Sequence, residues 1–216
     1  MLRIWGLKSA ANAQKVTWCL GEVGLPYQHI TENAVGQAPH DAQYLKLQGH
    51  VVPVMDDNGF VLWEAHAIAR YLAEKYGRAP FWPASAQGRA EVGRWMDYQL
   101  STVRQNVHVL MRGSPDAAQV ARVSQNIADA MQVVEKALER RDYLAGNDFT
   151  VGDIPLGIMA FRWSILDVNK PPMPAIDAWF GRLRARPAFQ KHVAAHLPEG
   201  SFTPLRADTQ KTREPQ

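Results

Sequence analysis

Cysteine is nearly absent: Cys19 stands alone in 216 residues. No disulfide framework can form within the chain, and a reducing compartment suits it. Long apolar runs are missing too. Nothing approaches the roughly 18 consecutive apolar residues of a membrane span. The opening MLRIWG enters a strand directly, without the basic and apolar regions of a secretory leader, so a cytoplasmic location is expected. Neither sign of charge dominates. The 24 basic and 21 acidic residues give a formal +3 with no Lys/Arg tract, which excludes the usual electrostatic footprint of nucleic-acid binding. The turn Ser9-Ala10-Ala11-Asn12 carries no cysteine pair and no glycine-rich phosphate loop, and no metal ligand set is expected.

What is present is enough apolar material, 46% of the chain, to bury a core. Residues 2–6 (LRIWG) alternate as a short strand, and Val16, Cys19, Leu20 and Val23 then recur at helical spacing up to Gly24. Cys19 falls on that apolar face and reads as core packing. Tyr27–Thr31 can form a second strand, and residues 41–47 have helical potential. In VVPVMDDNGFVLW two apolar runs flank Asn58-Gly59, a strong hairpin signal, and Glu64 opens a helix with Ile68, Tyr71 and Leu72 on its buried face.

Residues 77–86 (GRAPFWPASA) are rich in Gly, Pro and small side chains and read as a linker. Beyond it the pattern is helical. Val92, Trp95, Met96, Leu100, Val103, Val107 and Leu110 form one long stripe, and Val120, Val123, Ile127, Met131, Val134 and Leu138 form another. The two should pack antiparallel across a break at Gly113-Ser114-Pro115. Thr150 and Asp153 form a capping box flanked by a Phe149/Ile154 staple, which is a stability device rather than a catalytic one. A last helix pair follows the prolines at 171, 172 and 174, and the polar remainder lacks any apolar period.

Several segments in this order resemble the cytosolic glutathione transferases: LRIWG…NAQKVTWCLGEVGLPY, VVPV, LWEAHAIARYLAEKYG, RWMDYQLS, FTVGDIPLG and AWFGRLRARPAFQKHV. QKV and WMDYQ are most similar to bacterial theta-like and nu-like members. The resemblance implies an α/β N-terminal thioredoxin-like domain over 1–77, a linker over 78–86, an all-α C-terminal domain over 87–198 and a polar tail over 199–216. It also implies glutathione as co-substrate, a small hydrophobic electrophile as second substrate, and a homodimer.

For the glutathione site the resemblance implies Val52 as the backbone partner of the cysteinyl moiety, with Pro53 after it in cis. It implies Glu64 and Ala65 at the γ-glutamyl end, Ala65 standing where relatives carry a hydroxyl, and His50 or Lys46 at the glycine end. Ala10 occupies the position of the thiolate-stabilising hydroxyl or thiol. Asn12, Ser9 or backbone N–H groups at the helix start are left to stabilise the sulfur as candidate catalytic groups. Asn12 can equally serve as N-cap of that helix. Trp5, Tyr98, Gln99, Val103 and Trp163 are candidates for the second-substrate cleft. With Ala10 and Ala65 both lacking a hydroxyl, the alternative is a noncatalytic glutathione-binding or ligand-carrier module.

Overall fold

Residues 1–31, 53–112 and 115–196 are described by the structure, a computed structural model. The expected helix at 41–47, the break at Gly113-Ser114 and the tail from 199 lie outside them. The first half contains β1 (Leu2–Trp5), α1 (Ala11–Val23), β2 (Tyr27–Ile30), β3 (Val54–Asp57), β4 (Phe60–Trp63) and α2 (Ala65–Tyr76). The sheet order is β2-β1-β3-β4; β2 runs parallel to β1, while β1/β3 and β3/β4 are antiparallel. This is a thioredoxin-like arrangement. Asn58 (φ 52°) and Gly59 (φ 96°) both take the left-handed conformation, whose twist matches the flanking strands.

Helix α1 ends at Gly24, where φ is 70° and glycine adopts the left-handed conformation without a Cβ penalty. Val16, Cys19 and Leu20 on α1 and Ile68 and Leu72 on α2 are fully buried in one core between these packed helices. The Cys19 Sγ lies 3.7 Å from the Ala69 carbonyl oxygen, and burial pushes its thiol far up, which leaves it an inert packing group.

The second half is helical: α3 (Ala86–Tyr98), α4 (Arg104–Arg112), α5 (Ala117–Leu138), α6 (Asp153–Ser164), α7 (Pro174–Arg184) and α8 (Pro187–His192). The segment preceding it is held in place. The Phe81 carbonyl accepts from Val151 N at 3.2 Å, and the Phe81 ring stacks on Phe149 with centroids 5.8 Å apart. Helix α5 is capped by Asp116, whose Oδ1 accepts from Gln119 N at 2.7 Å. Helix α7 takes its cap from another helix: the Glu135 carboxylate on α5 accepts from Ala175 N (2.9 Å) and Ile176 N (2.8 Å).

The long stripe from Val92 to Leu110 departs from its expected form at one point. Between α3 and α4 the chain widens into a π turn over Gln99–Val103. The widened turn brings Gln99 inside, at 0% exposure, and leaves Leu100 outside at 44%. A polar residue therefore holds the place expected for an apolar one. Helix α6 likewise begins at Asp153, with Gly152 rather than Thr150 at the cap position. One of the two predicted reciprocal bonds is made, from Thr150 N to Asp153 Oδ2 (2.9 Å); the Thr150 hydroxyl accepts from Gly152 N (3.3 Å), and Asp153 N bonds the Thr150 carbonyl instead (3.1 Å). Among the described residues, no helix is long and apolar enough to cross a membrane.

Candidate functional site

The sheet register assembles one edge of the site. Trp5 pairs with Val54, and Val54 pairs with Trp63. One step further along the same end lie Gly6, Pro53 and Glu64, contributed by β1, β3 and the start of α2. A Cβ added to Gly6, whose φ is +153°, would come within 3.2 Å of the Ala13 Cβ and 3.7 Å of the Pro53 Cβ. Glycine is what lets β1, α1 and Pro53 approach so closely. The Val52–Pro53 peptide bond lies outside the described residues, as do Val52 itself, His50 and Lys46.

Glu64 has φ +72°, a conformation that costs a non-glycine residue roughly 1–3 kcal/mol and persists where the surroundings enforce it. Its side chain is exposed and makes no cap hydrogen bond to α2. Among the described residues, the carboxylate is not committed to the start of α2, whose first N–H groups have no intrahelical acceptors.

The second wall is the start of α1. Its N-cap is Ala10, in extended conformation, with no side-chain cap. Asn12 is thus not the N-cap; it lies inside the first turn, and its side chain has no hydrogen-bond partner among the described residues. The N–H groups of this turn point outward without intrahelical acceptors. Ala10, Ala11 and Asn12 line a cavity of about 250 Å³ whose other walls are Arg104, Val107, His108 and Met111 from α4 and Met159 and Arg162 from α6. Ser9 is exposed, and its carbonyl accepts from Arg162 Nη2 at 2.7 Å, while the same Nη2 donates to Gln14 Oε1 at 3.1 Å. Arg162 thereby ties α6 to the first turn of α1.

None of the five residues expected in the second-substrate cleft lines this cavity. Trp5 and Val103 are fully buried in the cores, and Tyr98 donates its hydroxyl to the Ala130 carbonyl at 2.9 Å. Trp163 faces a different cavity, beside Pro171 and Ile176. Gln99 is committed to Lys15, whose Nζ donates to Gln99 Oε1 at 2.8 Å and lies 2.9 Å from His66 Nε2.

This Lys15–His66–Gln99 cluster joins α1, α2 and the π turn. Burial pushes the Lys15 ammonium down to about 7, Arg104 and Arg162 push the same way, and Glu64 opposes them. Burial, followed by the Lys15 and Arg70 charges, lowers His66 to about 3, while its hydrogen bond with Gln99 works the other way. Neutral His66 accepts at Nε2, so Nδ1 carries its proton. Because the folded chain releases the Lys15 proton first, the unfolded chain holds one more proton between about 7 and 10.5. Stability is therefore expected to rise with pH across that window, by at most about 1.4 kcal/mol per unit. Denaturant titrations at stepped pH will show this slope in the wild type and a flattened one in Lys15→Met.

Sequence periodicity misses Arg104, His108 and Arg162, the polar groups that ring the cavity. Arg162 did leave a trace, as the one charge inside the apolar run IMAFRW. Arg104 and His108 stand four residues apart on the polar side of a stripe read only for its apolar face. No group of three or more potential metal ligands occurs among the described residues.

Known proteins share this two-domain fold. The family profile of the glutathione S-transferase N-terminal domain matches residues 11–75, and that of the C-terminal domain matches residues 85–187. Glutathione S-transferase GstB of Escherichia coli (strain K12) is 31% identical over 204 residues, covering 89% of this chain and 98% of that protein. Glutathione S-transferase 3 of Zea mays is 30% identical over 213 residues, covering 90% and 94%. A theta class glutathione S-transferase from Xanthomonas axonopodis pv. citri, solved with glutathione bound, superposes with a TM-score of 0.80 at 34% identity, covering 95% of this chain and 99% of that one. With both domains matched and relatives aligned over nearly their whole length, the chain belongs to the glutathione S-transferase family.

Proposed function

We propose that the protein binds glutathione along the edge formed by Gly6, Pro53 and Glu64 and transfers its thiolate to an electrophile in the adjoining cavity. The observation that carries this is Glu64: a strained, exposed carboxylate, uncommitted to its own helix, beside the N–H groups that begin α2. An ammonium group fits the carboxylate, and a carboxylate fits the helix start. These are the two charges at the γ-glutamyl end of glutathione. The cysteinyl and glycine ends would fall to Val52 and to His50 or Lys46.

From that position the sulfur reaches the first turn of α1. The outward N–H groups, the positive helix end and the Asn12 amide stabilise a thiolate there without any hydroxyl at Ala10. Asn12 is favoured over Ser9 because it lines the cavity while Ser9 does not. Val107, Met111 and Met159 supply the apolar surface for the second substrate.

Calorimetric titration with glutathione, followed by turnover of a panel of alkyl halides, conjugated carbonyls and disulfides, tests the proposal. Saturable binding with turnover is expected. Binding without turnover would leave a carrier, and no binding would remove glutathione altogether.

A two-fold homodimer in the cytoplasm completes the proposal. Phe60 (49% exposed) and Trp63 (44%) present aromatic surface on the outer strand β4, a patch suited to burial against a second copy. Sedimentation equilibrium at micromolar concentration should return twice the chain mass.

A further inference from the structure

The cavity beside α1 is not the uniformly apolar pocket that a hydrophobic electrophile calls for. Arg104 and His108 project from one side of α4, and Arg162 projects from α6. No acidic side chain lines the cavity among the described residues. Arg104 is half-buried and has no ion-pair partner among them; its charge repels those of Lys15 and His66 and helps to lower both. Arg162 is buried, and its bonds to the Ser9 carbonyl and the Gln14 amide fix the guanidinium at this wall. The positive end of α1 faces the same space.

Arg104 brings to the cavity a charge without a counter-ion among the described residues, which an entering anion would neutralise. The same cavity offers Val107, Met111 and Met159 to an apolar body. We infer that its ligand is an electrophile carrying a carboxylate, with the carboxylate on Arg104 and Arg162, the apolar body on the methionines and the reactive carbon toward Asn12. This rests on the transferase function proposed above and narrows its second substrate from hydrophobic to anionic. Planar guanidinium forks match carboxylate geometry, so recognition is directional as well as electrostatic.

In the reaction, the glutathione thiolate attacks the electrophilic carbon, a C–S bond forms, and the leaving group departs with its electron pair. The thiol proton has already gone to solvent. No oxidant or reductant is required.

Equilibrium binding of the unreactive pair 4-methylbenzoate and 4-methylbenzamide, measured without glutathione, isolates the anion preference. The benzoate is expected to bind about 10- to 100-fold more tightly, as for a hydrogen-bonded charge against its neutral analogue. Arg104→Gln should bring the two near parity, and Arg104→Lys should restore part of the difference. Equal binding in the wild type, or a preference unchanged by Arg104→Gln in a folded variant, overturns the inference.

Turnover of 4-(chloromethyl)benzoate against 4-(chloromethyl)benzamide, each corrected for its uncatalysed rate, should show the same preference in kcat/KM. If the benzoate preference exists in binding but neither compound is turned over, the anion site stands and the transferase function fails. If Arg104→Gln instead weakens glutathione binding and leaves the benzoate preference intact, Arg104 serves the tripeptide and the inference is wrong.

Discussion

Asp153→Ala is expected to lower the unfolding free energy by about 3–5 kcal/mol, the cost of removing one partner from a buried charged network. Asp153 has no exposed surface. Its Oδ1 accepts from Leu144 N (2.9 Å) and Trp179 Nε1 (3.0 Å), and its Oδ2 accepts from Thr150 N (2.9 Å) and Thr150 Oγ1 (3.1 Å). Burial pushes the carboxyl up, while the donors from Leu144, Thr150 and Trp179 pull it back without fully offsetting the desolvation.

Those bonds join the loop before α6, the start of α6 and the centre of α7. Alanine would orphan all four donors, each worth about 1–3 kcal/mol when left buried and unsatisfied, though relaxation prevents simple addition. Asp153→Asn keeps the shape but turns an NH₂ toward one pair of donors, so it should recover only part of the loss. Urea unfolding followed by tryptophan fluorescence reads both variants. A loss below about 1 kcal/mol for Asp153→Ala would reduce the residue to an ordinary helix cap.

Glu64→Gly is expected to move stability and binding in opposite directions. Glycine takes φ +72° without a Cβ penalty, so unfolding free energy should rise by about 1 kcal/mol as the strain is relieved. Glutathione affinity should fall about 10- to 100-fold, because a charge-assisted hydrogen bond to the ligand ammonium is lost. Such opposition is the mark of a residue kept for function at the expense of stability. Urea unfolding and calorimetry on one preparation measure both effects. A variant that loses stability and keeps its affinity would make Glu64 a structural residue and undo the proposed site.

Local chemistry was easy to see in the sequence. Asn58-Gly59 specifies its own turn through two left-handed residues, and Asp153 announces a helix start three residues after Thr150. Both signals act within a few residues, so no tertiary information is needed. The two long stripes also appear as amphipathic helices for the same reason.

Gln99 and Leu100 show where that legibility stops. Apolar periodicity assumes a constant turn, and only the π turn puts Gln99 inward against Lys15, a partner 84 residues away. Nothing local to Lys15 in the sequence signals its burial beside His66, which lowers its proton affinity. The cavity wall failed for a related reason: Arg104 and Arg162 lie 58 positions apart in the chain, on helices whose packing brings them to one space. Of the aromatic residues proposed for the cleft, Trp5 is a fully buried packing group, while Trp163 lines a different cavity.

The most direct test of the central claim is the thiol pKa of glutathione bound to the protein, read from thiolate ultraviolet absorbance across a pH titration. The account predicts a value at least about one unit below the ordinary cysteine thiol near 8.5, rising again by about one or two units in Asn12→Ala as one hydrogen bond to the sulfur is lost. A bound thiol that titrates like the free one, in a complex that is demonstrably saturated, would contradict it.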